Sequence, residues 1–152
     1  MNLSYDEYLR YLDDFCQLLE KMTQTAKEKG AAARVGDLVQ VDACMKQEQA
    51  YSMSLRSMDQ KRDRLHKAMG LEGATLSQVA GHFPQEKQRE AARRAERALR
   101  LFEGYQSAAN AVRTTMELAL RDIEKMFPED YGAPAPATSE EPPPRMKTDF
   151  RA

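Results

Sequence analysis

Proline is the feature that most limits what this chain can fold into. It lacks a backbone donor and breaks helix interiors, yet none occurs before Pro84, and six of the seven (Pro128, Pro134, Pro136, Pro142, Pro143, Pro144) crowd the last 25 of 152 residues. Long helices are therefore open to residues 1–127 and closed to residues 128–152. A sheet is a poor competitor, because Val and Ile together number six, too few for the β-branched surfaces of strands. At roughly 100 to 200 residues per domain the length holds one core. The division is a helical domain over 1–127 and a Pro-rich tail over 128–152. The tail has few apolar groups to offset its ordering entropy and reads as disordered, with Met146 and Phe150 isolated in it.

Within residues 1–127 the apolar positions keep helical time. Tyr5, Tyr8, Leu12, Phe15, Leu19, Met22 and Ala26 recur at steps of three and four, the period of one helix face, with Ser4 a candidate N-cap. Gly30, Gly36 and Asp37 mark residues 30–37 as the bend of a helical hairpin. The second seam runs Val41, Cys44, Glu48, Tyr51, Leu55, Met58, Arg62, Leu65, Met69 and stops at Gly70. Its two charged members read as edge positions, with stems buried and heads in water. Thr75 with Gln78 forms a capping box for a short helix carrying Leu76, Val79 and Phe83. Pro84 suits the first turn of a last helix, striped by Ala95, Ala98, Phe102, Tyr105, Ala109, Val112, Met116, Ala119, Ile123 and Met126. The expected fold is all-α: an elongated antiparallel bundle or coiled coil of three long helices plus one short one. Its last helix, at roughly 60 to 65 Å against roughly 45 to 50 Å for the others, must project or find another partner.

Charge and chemistry narrow the function classes. Lys and Arg number 23 against 24 Asp and Glu, a net charge of −1, so no whole-chain field gathers nucleic acid. The most basic stretch, Glu86 to Arg100, carries six basic and three acidic residues. No aromatic or amide reader lies on its charged face, which reads as a solvated helix face. No apolar run exceeds three residues, which excludes a membrane span and the apolar centre of a secretory signal; a cytoplasmic, non-inserted protein is expected. His66 and His82 are spaced for no helical metal pair, and the hairpin register holds Cys16 and Cys44 roughly 12 Å apart along the axis, too far for a disulfide. No nucleophile has an activating context, and no phosphate-binding or dinucleotide fingerprint occurs. The reading is no enzyme, no cofactor and no metal.

One anomaly remains at the end of the last helix. From Val112 to Phe127 the apolar set is Val112, Met116, Leu118, Ala119, Leu120, Ile123, Met126 and Phe127, wider than a single seam requires. Such a strip either completes the core or stays open to a partner. With nine Met in the chain, adaptable apolar surface fits the second use. Val112, Met116, Leu120, Ile123 and Phe127 are the candidate binding residues.

The order of these segments resembles the flagellar export chaperone family called FlgN over about residues 5–127. The resemblance rests on the amphipathic first helix, Gly36-Asp37 leading into Met45-Lys46-Gln47-Glu48-Gln49, then Leu55, Lys61-Arg62 and Leu65 before Gly70. Thr75-Leu76-Ser77-Gln78-Val79 and a long helix through Asn110 complete it. It implies a non-enzymatic cytoplasmic chaperone, and the three seams with two short connections lead to the expectation of a monomer or weak homodimer. Such a protein holds an amphipathic terminal helix of hook-filament junction proteins and delivers them to the membrane export gate. The competing classes are a coiled-coil adaptor without a secreted client and a nucleic-acid binder working through Glu86 to Arg100.

Overall fold

A computed structural model describes residues 2–128, with side chains from Ser4 onward. Four helices follow in order: α1 (Asn2–Arg34), α2 (Leu38–Ala68), α3 (Leu76–Gly81) and α4 (Gln85–Met126). No strand occurs among the described residues. The expected disorder of the tail falls on residues 129–152, outside the described ones.

Local chemistry explains most boundaries. At the end of α1, Asp37 N donates to Ala32 O and Gly36 N to Ala33 O, the paired bonds of a left-handed helix stop, with Gly36 at φ 72°. The Asp37 carboxylate then accepts from Gln40 N to cap α2. The same pair of bonds recurs at Gly70 (φ 70°), where Leu71 N donates to His66 O and Gly70 N to Lys67 O. Thr75 and Gln78 form the reciprocal capping box of α3. Three expectations need correcting. Ser4 lies inside α1 and caps nothing, since the helix starts at Asn2. Pro84 occupies the N-cap of α4, with extended ψ 142°, and the helical turn begins one residue later. Gly30 is no part of the bend: α1 continues through it to Arg34, and because a Cβ there would lie 3.0 Å from Val112 Cγ2, its hydrogen is what lets α4 approach.

Helix α1 is the shared element, packing against both α2 and α4, while α3 packs on α4. It runs antiparallel to α2: Lys29 Nζ meets Glu48 at 2.7 Å, Thr25 Oγ1 lies 3.2 Å from Tyr51 Oη, and the Tyr8 and His66 rings are 5.5 Å apart. It runs parallel to α4, through Asp6 with Lys87, Asp13 with Arg94, Glu20 with Arg97 and Gly30 with Val112. A helix serving two neighbours must bury two stripes, and α1 does. Beside Tyr8, Leu12, Phe15, Leu19, Met22 and Ala26, it buries Leu9, Tyr11, Cys16, Leu18, Thr25 and Ala32. Around its N-terminal third the core is aromatic, with Phe83 edge-on to Tyr5 at 4.7 Å and 6.0 Å from Tyr8.

Candidate functional site

The basic stretch of α4 is engaged with α1. Lys87 Nζ pairs with Asp6 at 2.6 Å, Arg97 with Glu20 at 2.7 Å, and Arg94 bridges Asp13 at 3.2 Å and Glu90 at 2.7 Å. The Lys87 ammonium holds the Asp6 carboxyl below its usual range. Repeated along the interface, these pairs match the parallel register, and reversing α4 would leave the carboxylates of α1 facing the wrong positions. Residues that read as a solvated face thus serve partly to dock two helices.

At the far end of α2, a cleft of about 360 Å³ is lined by Arg62, Asp63, His66 and Lys67 with Glu72 of the following loop. Arg62 donates to its neighbour Asp63 at 2.9 Å while its Nε and His66 Nε2 are buried without a hydrogen-bond partner. Burial first, then the adjacent guanidinium, pushes the His66 pKa down and keeps the ring neutral. The lining carries balancing charges, Arg62 and Lys67 against Asp63 and Glu72. Glu48, the other charged member of this seam, is tied to Lys29. Cys16 and Cys44 are both free and buried, and burial raises each thiol's pKa. Among the described residues no group of three His, Cys, Asp or Glu could hold a metal ion.

The apolar strip occupies the opposite end. Pairs between α1 and α4 are separated by 81 and 77 residues, so Arg34, where α1 ends, is level with about Thr115. Residues Met116–Met126 therefore run past the hairpin by roughly 16 Å at a 1.5 Å rise. Burial follows that geometry. Val112 is packed under Gly30 and is 6% exposed, Met116 and Ile123 are half-buried, and Leu120 and Phe127 are 51% and 54% exposed. At 100° per residue, Met116, Leu120, Ile123 and Phe127 fall within about 60° of one another, with exposed Met126 along one border. Leu118, exposed as well, points to the other side of the helix. The candidate set thus divides: Val112 belongs to the packed seam, and the open part starts at Met116.

Three exposed apolar residues beside it were not singled out from sequence. Val35, Leu38 and Val39 sit on the hairpin tip at 79%, 67% and 83% exposure, level with the start of the projection. Their signal was present: apolar residues flanking a Gly-Asp turn and off the Val41 seam have nothing to bury against. What periodicity did not supply was that α4 passes the same tip.

No described helix is long and apolar enough to cross a membrane. No curated protein and no solved structure matches the chain. A family model described as "FlgN protein" matches residues 1–127, which is the helical part to its last turn. An all-helical architecture with three long helices and a match over more than four-fifths of the sequence agree on one conclusion: the chain belongs to the FlgN family of flagellar export chaperones.

Proposed function

We propose that the protein is a cytoplasmic, non-enzymatic chaperone for hook-filament junction proteins. It shields an amphipathic terminal helix of the client and delivers the client to the export gate. Family membership supports the general role. The observation that carries the binding site is the apolar strip of α4 beyond the hairpin, Met116, Leu120, Ile123 and Phe127, reached from the buried seam at Val112. Helix-in-groove recognition uses anchors at i, i+3, i+4 and i+7, and a client helix laid on this strip continues the layer that α1 forms over the preceding part of α4. Each anchor contributes at most about 1.5 to 3 kcal/mol on full burial, before association entropy is subtracted. Four of them total at most about 6 to 12 kcal/mol against an association cost of about 4 kcal/mol or more, so they anchor a client helix that further contacts along its length must hold.

The test is the double variant Leu120→Asp, Ile123→Asp, followed by circular dichroism and titration with the C-terminal segment of a junction protein. The expected result is unchanged helicity with binding lost. Binding retained by the folded double variant would place the client elsewhere and favour an adaptor role without this groove, while collapse of the fold would return the two residues to the core.

A further inference from the structure

We propose that residues 145–152 of this chain occupy the α4 strip when no client is bound, as a short built-in competitor. The idea rests on the client reading for its functional consequence, but the contact itself is defined without a client.

Three observations converge. The first is position: the chain leaves the described helix at Phe127 and Pro128, at the very end of the open strip. Met146 lies eighteen residues beyond Pro128, and a chain of that length spans roughly 20 to 25 Å as a flexible coil and up to about 55 Å if extended by its prolines. Every part of a strip about 16 Å long is within reach. The second is pattern. The segment Arg145-Met146-Lys147-Thr148-Asp149-Phe150-Arg151-Ala152 holds two large apolar side chains four residues apart. That spacing equals the step from Met116 to Leu120 and from Ile123 to Phe127, so the two apolar side chains match the spacing of two anchors of the strip. The third is charge. Glu117 and Glu124, both exposed, are seven residues apart and border the strip on one side, whereas residues 145–152 carry three basic side chains and one acidic. Opposite charge draws the segment towards that side of the strip.

A tethered contact of this kind works at an effective concentration of about a millimolar. If its own Kd is near that value the strip is about half covered, and if tenfold tighter about nine-tenths covered. Client affinity is then reduced roughly two- to tenfold, in proportion to the open fraction. The same contact covers apolar surface that would otherwise favour aggregation.

The experiment uses the full chain with Thr148→Cys carrying a nitroxide. The native thiols are buried and their pKa values raised, so they react slowly with the label. Paramagnetic broadening of amides 116–127 at low protein concentration is expected, with amides of the α2–α3 turn unaffected. Adding Met146→Asp and Phe150→Asp should abolish it and tighten binding of the junction-protein segment two- to tenfold. No broadening at 116–127 overturns the proposal. Broadening that appears only when labelled and isotope-enriched chains are mixed also overturns it, because the occupant is then a second copy. Intramolecular broadening with client affinity unchanged by the two substitutions keeps the self-contact and defeats the client site instead.

Discussion

Two glycines of the same helical context have opposite reasons to exist, and substitution separates them. Gly104 lies in α4, exposed, and a Cβ added there meets nothing within 4 Å. Close packing therefore does not explain it. Gly104→Ala should stabilise the protein by about 0.5 to 1 kcal/mol through helix propensity, read as an upward shift of the urea midpoint with unchanged m. Gly30→Ala gains the same propensity but drives its methyl to 3.0 Å from Val112 Cγ2, and a β-branched side chain has little rotamer freedom to retreat. Its effect should improve by about 1 kcal/mol or more when measured in a Val112→Ala background, a coupling visible only in the double-mutant cycle. His66 makes a pH prediction. Burial and Arg62 lower its folded pKa below the ordinary 6.5, so the unfolded chain binds the proton more readily and stability rises with pH. The penalty is absent above pH 6.5 and grows as pH falls through that value towards the folded pKa. Urea midpoints between pH 7 and pH 5 should decline in the natural protein and stay flatter in His66→Gln.

At the scale of elements, what was legible follows from how many neighbours a helix serves. The seam of α2, the capping box of α3 and the left-handed stops at Gly36 and Gly70 were all readable, because each is a local rule satisfied by residues a few positions apart. The second stripe of α1 was not read, although Leu9, Tyr11, Cys16 and Leu18 are plainly apolar. A single-face template assigns a helix one partner, and only the assembled fold shows α1 between two. The parallel register of α1 and α4 was also beyond reach, since Asp13 and Arg94 are joined by geometry and by no pattern in the chain. The double burial of α1 yields a contrast between two leucines. Leu19 is fully buried, and Leu19→Ala should cost about 2 to 5 kcal/mol, whereas Leu120→Ala, half exposed, should stay within about 0.5 kcal/mol of the parent. Chemical denaturation of the two variants side by side checks the assignment of core and open surface.

The whole molecule divides its labour along its length. At one end Tyr5, Tyr8, Phe83 and His66 knit α1, α2 and the α3 region together, and at the other α4 runs on past the other described helices. The candidate strip was readable as an excess of apolar residues, but whether it was core or surface depended on where the hairpin ends relative to α4, a quantity fixed only in the assembled α1–α4 packing. That separation predicts the outcome of truncation. Between Met116 and Phe127 no residue falls in the buried class, so removing everything after Thr115 should delete about three turns of helix without opening the core. Circular dichroism should lose helicity in proportion to the residues removed, and the melting temperature should move by only a few degrees, as expected for a loss of about 1 kcal/mol or less in a domain of this size. The junction-protein segment should no longer bind. A large drop in melting temperature would mean that the projection supports the bundle, and retained binding would move the client to the hairpin tip at Val35, Leu38 and Val39, whose exposed apolar side chains are the remaining open surface at that end.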